Sequence, residues 1–250
     1  MKRAILLFLF LLLLCGCRPG EFPPAAAAPE TSMTETAPPE PQSLHSALYQ
    51  PEVDVREVIT YFNEVCLAAE IVNSGNPAVL QRWEIPVSYQ ILGDPTAEDL
   101  AALTGFAQWL NTVEGFPGIA QTQDATQANL RIHFCTQEEM LSIMGDSFTG
   151  MDGAVTFWYR EDAIYDAIIC IRTDLDQDLR NSVILEELYN GLGPIQDTTL
   201  RPDSIIYAEF SQPQMLTEMD ELILRLLYHP RFRCGMTPME CEAAIRELYY

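Results

Sequence analysis

Lysine is nearly absent from this chain. Of its 14 basic residues only Lys2 is a lysine, and they face 36 aspartates and glutamates for a formal charge of −22. A surface of that sign repels nucleic acid and anionic lipid headgroups, so no nucleic-acid partner is expected. The plain reading of the charge is solubility in an exposed compartment, preferred here over recruitment of a basic partner. Histidine is almost as scarce, with His45, His133 and His229 the whole set. A thiol nucleophile needs an imidazole to activate it. His45 lies in a proline-rich segment, and His229 precedes Pro230 at an expected helix end. His133 sits in Leu130-Arg131-Ile132-His133-Phe134, where strand alternation sends it away from the apolar residues, toward solvent. Cysteine-protease chemistry is thereby disfavoured. No Cys-x-x-Cys occurs among the seven cysteines, which excludes zinc-ribbon and thioredoxin-like sites. Long apolar runs are missing as well, except for Ile5 to Leu14, which is too short to cross a bilayer as a mature helix.

What is present begins with that run. Preceded by Lys2 and Arg3 and closed by Leu14-Cys15-Gly16-Cys17, it resembles a bacterial lipoprotein signal, with its leucine, two small residues and cysteine. The resemblance implies cleavage before Cys17, a thioether-linked diacylglycerol on its sulfur, and acylation of the new amino terminus. Several acyl chains anchor where one does not, because each buried methylene contributes about 0.8 kcal/mol. The alternative is an ordinary secretory leader, but no convincing small-x-small cleavage site follows. Residues 1–16 are then the expected signal peptide, 17–47 a lipidated stalk and 48–250 a single domain, displayed outside the cytoplasm on the cell membrane or outer membrane. Losing Lys2 and Arg3 leaves 14 − 2 = 12 basic residues, all arginine, against 36 acidic ones. From Arg18 to Ser46, seven prolines and Ala25 to Ala28 are mixed with Thr, Ser and Glu. Such a segment has too little apolar bulk to fold, and about 30 residues at about 3.1 Å each would reach roughly 90 Å. It carries no chemistry.

The domain shows helical spacing from Val53 to Ile71 and strand alternation from Glu84 to Leu92. Thr96 with Asp99, and Thr136 with Glu139, open two helices, to about Val113 and through Met144. Strands are expected over Ala128 to Cys135, Ala154 to Tyr159 and Ala163 to Arg172, and helices over Asp178 to Asn190, Thr217 to Tyr228 and Thr237 to Leu248. That order gives an α+β fold, a mixed sheet with packed helices and a mostly helical C-terminal part. Cys66, Cys135, Cys170, Cys234 and Cys241 remain for the domain. In an exported protein two disulfides of undetermined pairing and one odd thiol are expected.

The richest segment is Glu186-Glu187-Leu188-Tyr189-Asn190-Gly191-Leu192-Gly193-Pro194-Ile195-Gln196. It has the outline of the metzincin helix, H-E-x-x-H-x-x-G-x-x-H, with Glu186, Asn190 and Gln196 where the three histidines stand. Glu187 keeps the general-base position and Gly193 the turn glycine. Asp203-Ser204-Ile205-Ile206-Tyr207 is similar to the Met-turn of that group, with Ile206 at the methionine. Together with Leu226-Leu227-Tyr228-His229-Pro230 and Gly235-Met236-Thr237, these segments resemble a widespread bacterial family of unknown function with a degenerate zincin helix. The likeness covers about Asn181 to Leu248 and implies a zincin-like fold and lineage, but no reaction.

Residues 186 and 190 share one helical face a turn apart, so the geometry suits a metal and the donors do not. One carboxylate and two neutral amides hold zinc poorly, and without tightly held zinc no water is activated at neutral pH. No cofactor is expected. Asp174, Asp176 and Asp178 have the alternate spacing of an EF-hand loop, but Leu179 and Leu185 stand where its glycine and glutamate belong. Those aspartates read better as a cap for the helix. Glu187 could act as an unaided base, although Glu186 points about 100° away around the helix and makes a poor partner. The plainer reading makes Glu186 and Glu187 solvated or hydrogen-bonded helix residues, with Leu179, Val183, Ile184 and Leu188 as core.

Three functions compete on this basis. The leading one is a catalytically silent binding or scaffolding module, whose Phe157, Trp158 and Tyr159 form an edge strand able to hold an envelope peptide or protein. Phe157 and Tyr159 have core as their alternative role. The second is a peptide or cell-wall hydrolase using Glu187. The third is a purely structural lipoprotein.

Overall fold

Thr96, Thr136 and Thr217 each open a helix by accepting a hydrogen bond from the backbone N–H three residues on, and the acidic side chain at that position returns the bond to the threonine N–H. These reciprocal caps fix three helix starts in a computed structural model that describes residues 53–67, 78–209 and 211–249. Cys17, the signal and the stalk lie outside the described residues.

The elements run α1 (Val55–Leu67), β1 (Arg82–Trp83), β2 (Val87–Gly93), α2 (Ala97–Leu110), β3 (Ile119–Gln121), β4 (Leu130–Cys135), α3 (Gln137–Met144), β5 (Gly153–Arg160), β6 (Ala163–Arg172), α4 (Gln177–Asn190), α5 (Glu218–Tyr228) and α6 (Pro238–Tyr249). The fold is α+β. Five strands lie parallel in the order β1-β6-β4-β2-β3, and β5 joins β6 antiparallel. A two-residue hairpin links β5 to β6, with Glu161 and Asp162 both in the left-handed region that tight hairpins require.

The sheet buries Ile132, Phe134, Ala167, Ile169 and Ile171 in one large core shared with α1, α2, α4, α5 and α6. On its other face a small cluster of Cys135, Cys170 and Met140 is covered by α3. Apolar burial at about 25 cal/mol per Å² is what holds α4 and α5 in place, since their residues Ile184, Leu188, Ile223 and Leu227 are almost wholly enclosed.

Several expectations change. The strand expected over 84–92 is interrupted, because Pro86 cannot donate to a ladder and Ile85 is 44 % exposed. β3 has only three residues, too few for a periodic signal; Asn111 pins it by bonding both Ile119 N–H and Ile119 C=O. Asp176 occupies the N-cap of α4 but makes no side-chain capping bond, so the aspartates do not cap it as the spacing suggested. Asp174 instead pairs with Arg172. All five described cysteines are free thiols. Cys135 is level with Arg172 and Cys170 with His133, a two-residue offset on adjacent strands. The thiols of Cys135 and Cys170 lie within hydrogen-bond reach of each other and remain unjoined.

Candidate functional cleft

α4 sits against β5, and the contact exists because Gly153 has no side chain. A Cβ there would stand 2.4 Å from Val183 Cγ1 and 2.7 Å from Glu187 Oε1. The C-terminal end of α4 is fixed by Trp83, whose indole N–H donates to Gly191 C=O at 2.9 Å. Gly193 follows with φ +125°, and a Cβ would lie 2.5 Å from Gln81 C=O. The glycine of the motif is therefore required by the close approach of the backbone at Gln81, just before β1, independent of any metal. Beneath α4, Asp220 ties the segment 204–206 to the core. It accepts from Ser204 Oγ at 2.7 Å and Ile205 N–H at 3.2 Å, while Tyr189 Oη donates to the Asp220 carbonyl at 3.1 Å.

Between α4 and β5 lies a cleft of about 790 Å³. Leu179, Ser182, Val183, Glu186, Glu187 and Asn190 of α4 border it, a stripe at three- and four-residue spacing. Glu186 and Glu187 thus border the same cleft despite their angular separation on the helix. Glu187 is buried to 6 % exposure, below Gly153. The Cys170 thiol is pushed up by its hydrogen bond with Cys135 first, then by burial, with the charges of Cys135 and Glu187 adding to it. Glu186 is partly buried and makes no hydrogen bond or ion pair to a described residue. Its carboxyl is pushed up to about 8, by burial first and then by the charges of Asp197 and Asp152. Asn190 Oδ1 is buried without a hydrogen-bond partner.

The expected site residues are only partly brought together. Glu186, Glu187, Asn190, Phe157 and Tyr159 border the cleft. Gln196 does not; its backbone N–H bonds to Val65 C=O, and its neighbours Ile195 and Asp197 face the cleft instead. Trp158 is also outside the cleft, being 41 % exposed and carried to the opposite side of β5 by strand alternation. Phe157 and Tyr159 pack edge to face at 5.4 Å; Phe157 is partly buried against the main core, whereas Tyr159 is 46 % exposed. Asp152, Asp197 and Glu209 were missed by sequence reasoning. They lie in connecting segments, where no periodicity marks a side chain as inward. His133 is half-buried, and no histidine is among the described residues bordering the cleft.

Residues 56–247 match a family model described as "Protein of unknown function (DUF2927)". The chain belongs to that family. The match spans most of the domain and includes every described residue that borders the cleft. No curated protein matches the chain. Among the described residues no helix is long and apolar enough to cross a membrane.

Proposed function

We propose that this DUF2927 protein is a cell-envelope lipoprotein, anchored through Cys17, whose zincin-like domain binds an extended peptide without cleaving it. The observation that carries the reading is the placement of β5. Among the described residues β5 pairs only with β6, and it runs along the cleft opposite α4. A strand with a free edge offers backbone N–H and C=O groups to an added strand, while the cleft receives alternate side chains. Phe157 and Tyr159 supply the apolar contact. Zinc does not fit the donors: Glu186 and Asn190 border the cleft and Gln196 does not, and no three His, Cys, Asp or Glu side chains among the described residues are grouped to hold a metal. No hydrolytic step is therefore routed through a metal.

Strand addition needs peptide N–H groups. Extended peptides should bind the protein measurably by isothermal titration, and peptides N-methylated at alternate residues should lose binding. Equal binding of both forms would sink strand addition. Changing Cys17 to Ser should move the protein from the membrane fraction to the soluble fraction; an unaltered distribution would refute the anchor.

One observation favours a second reading. Glu186, held near 8 beside Glu187, is a carboxyl suited to carry a proton at neutral pH, as a metal-free hydrolase acting on peptide or cell-wall substrates requires. That reading predicts hydrolysis abolished by Glu187→Gln with an unchanged fold. Elemental analysis after equilibration with zinc and dialysis bears on it too. Stoichiometric zinc that is lost in Glu186→Ala would revive a metal-dependent hydrolase.

A further inference from the structure

The cleft is chemically one-sided. Asp152, Glu186, Glu187, Asp197 and Glu209 border it, and no arginine, lysine or histidine does so among the described residues. The acidity of the whole chain does not explain this, because arginines are paired with carboxylates elsewhere. Arg180 lies against Asp99, Arg131 against Asp166 and Arg201 against Glu57 and Asp203. Arg172 reaches Asp152 at 3.1 Å from the sheet side, where it also bonds Asp174.

Two acceptors in the cleft are unmatched. Glu186 makes no hydrogen bond or ion pair to a described residue, although Asp152 and Asp197 are close enough for their charges to act on it. Asn190, one turn further along the same face of α4, has a buried Oδ1 with no donor. A buried acceptor in a native protein is normally satisfied, so Asn190 Oδ1, bordering a cavity beside the partly buried Glu186 carboxyl, marks a place for donors that come from outside the chain. The donors must carry positive charge to lie among these carboxylates. Side chains at this spacing stand about 5–6 Å apart, within the span of a planar guanidinium with its five N–H groups. Phe157 and Tyr159 line the same cleft, and aromatic faces attract such a cation.

We propose that the cleft selects a cationic ligand, an arginine side chain of the bound peptide seated against Glu186 and Asn190. This rests on the peptide-binding reading of the cleft. The arrangement also assigns Glu186 a role distinct from the general base of the motif: it fixes which side chain enters.

The test uses the intact protein and two probes. One is a pair of extended peptides identical except for arginine or citrulline, which keeps the shape of arginine and loses its charge. The other is agmatine, a guanidinium compound without a peptide backbone. The arginine peptide should bind at least about tenfold more tightly than the citrulline peptide, and Glu186→Gln should remove that advantage. A thermal melt confirms that the variant is folded, and Asn190→Leu provides a second variant with the same expected loss. Equal binding of the two peptides overturns the cation inference and leaves strand addition standing. Agmatine binding that Glu186→Gln abolishes, without binding of either peptide, supports the cation site while refuting strand addition. Binding of neither probe overturns both.

Discussion

Glu186 gives the cleft a measurable signature. Its carboxyl is held near 8 in the fold, by burial and by Asp197 and Asp152, against about 4.3 in an unfolded chain. Between those values the folded protein binds a proton that the unfolded chain does not, so this group lowers stability as pH rises. The slope reaches about 1.4 kcal/mol per pH unit and ends above pH 8. Glu186→Gln should flatten the dependence between pH 5 and 8 and leave the variant more stable than the parent at pH 8. Urea midpoints across that range check it, and an unchanged slope would mean the carboxyl is ordinarily solvated. Gly153 is equally specific. Gly153→Ala forces its Cβ onto Val183 and Glu187 and should cost about 1–3 kcal/mol. A melt as high as the parent's would show that α4 can back away from β5. The motif in the sequence marked Glu186 and Asn190 as facing together, because helical spacing fixes direction. It could not show Gly153, which matters only through the helix that packs on it.

At the scale of elements, α4 is held by side chains distant in sequence. Asp99, in the cap of α2, accepts from Arg180 of α4 at 2.9 Å and from the partly buried Gln177 at 2.7 Å, Asp99 and Arg180 being nearly enclosed. Burial alone would raise the Asp99 carboxyl. Bonds from the Thr96 backbone and then from Arg180 and Gln177 outweigh that and hold it below the usual range. Removing one partner leaves a buried charge, so Arg180→Ala should destabilise the domain by about 3–5 kcal/mol. Thr96→Ala, which removes only a cap, should cost about 1 kcal/mol. Similar losses from the two, measured by chemical unfolding, would mean Asp99 finds water when Arg180 is gone. The caps at Thr96 and Thr136 were legible because a capping box is a local pattern of four residues; Thr217 with Asp220 carries the same pattern, read only as a helix start. The Asp99–Arg180 bond joins positions 81 apart, and no local pattern encodes it.

For the whole molecule, composition pointed to disulfides, and the five described cysteines are free thiols instead. Four of the five cysteines are buried and all five are free, so a thiol reagent should modify at most Cys234 in the folded protein and all five after unfolding without reductant. Fewer than five would reveal a disulfide. The sequence by itself determined the strands and helices whose spacing is periodic, the α+β class and the face of α4 that carries Glu186 and Asn190. Those follow from the 2.0 and 3.6 residue repeats and from caps that act within one turn. The tertiary structure alone decided that β5 lies along that face, that Asp152, Asp197 and Glu209 from three separate segments border the same cleft, and that Trp158 and Gln196 do not. Connecting segments carry no repeat, and their side chains acquire a direction only when the elements they join have packed.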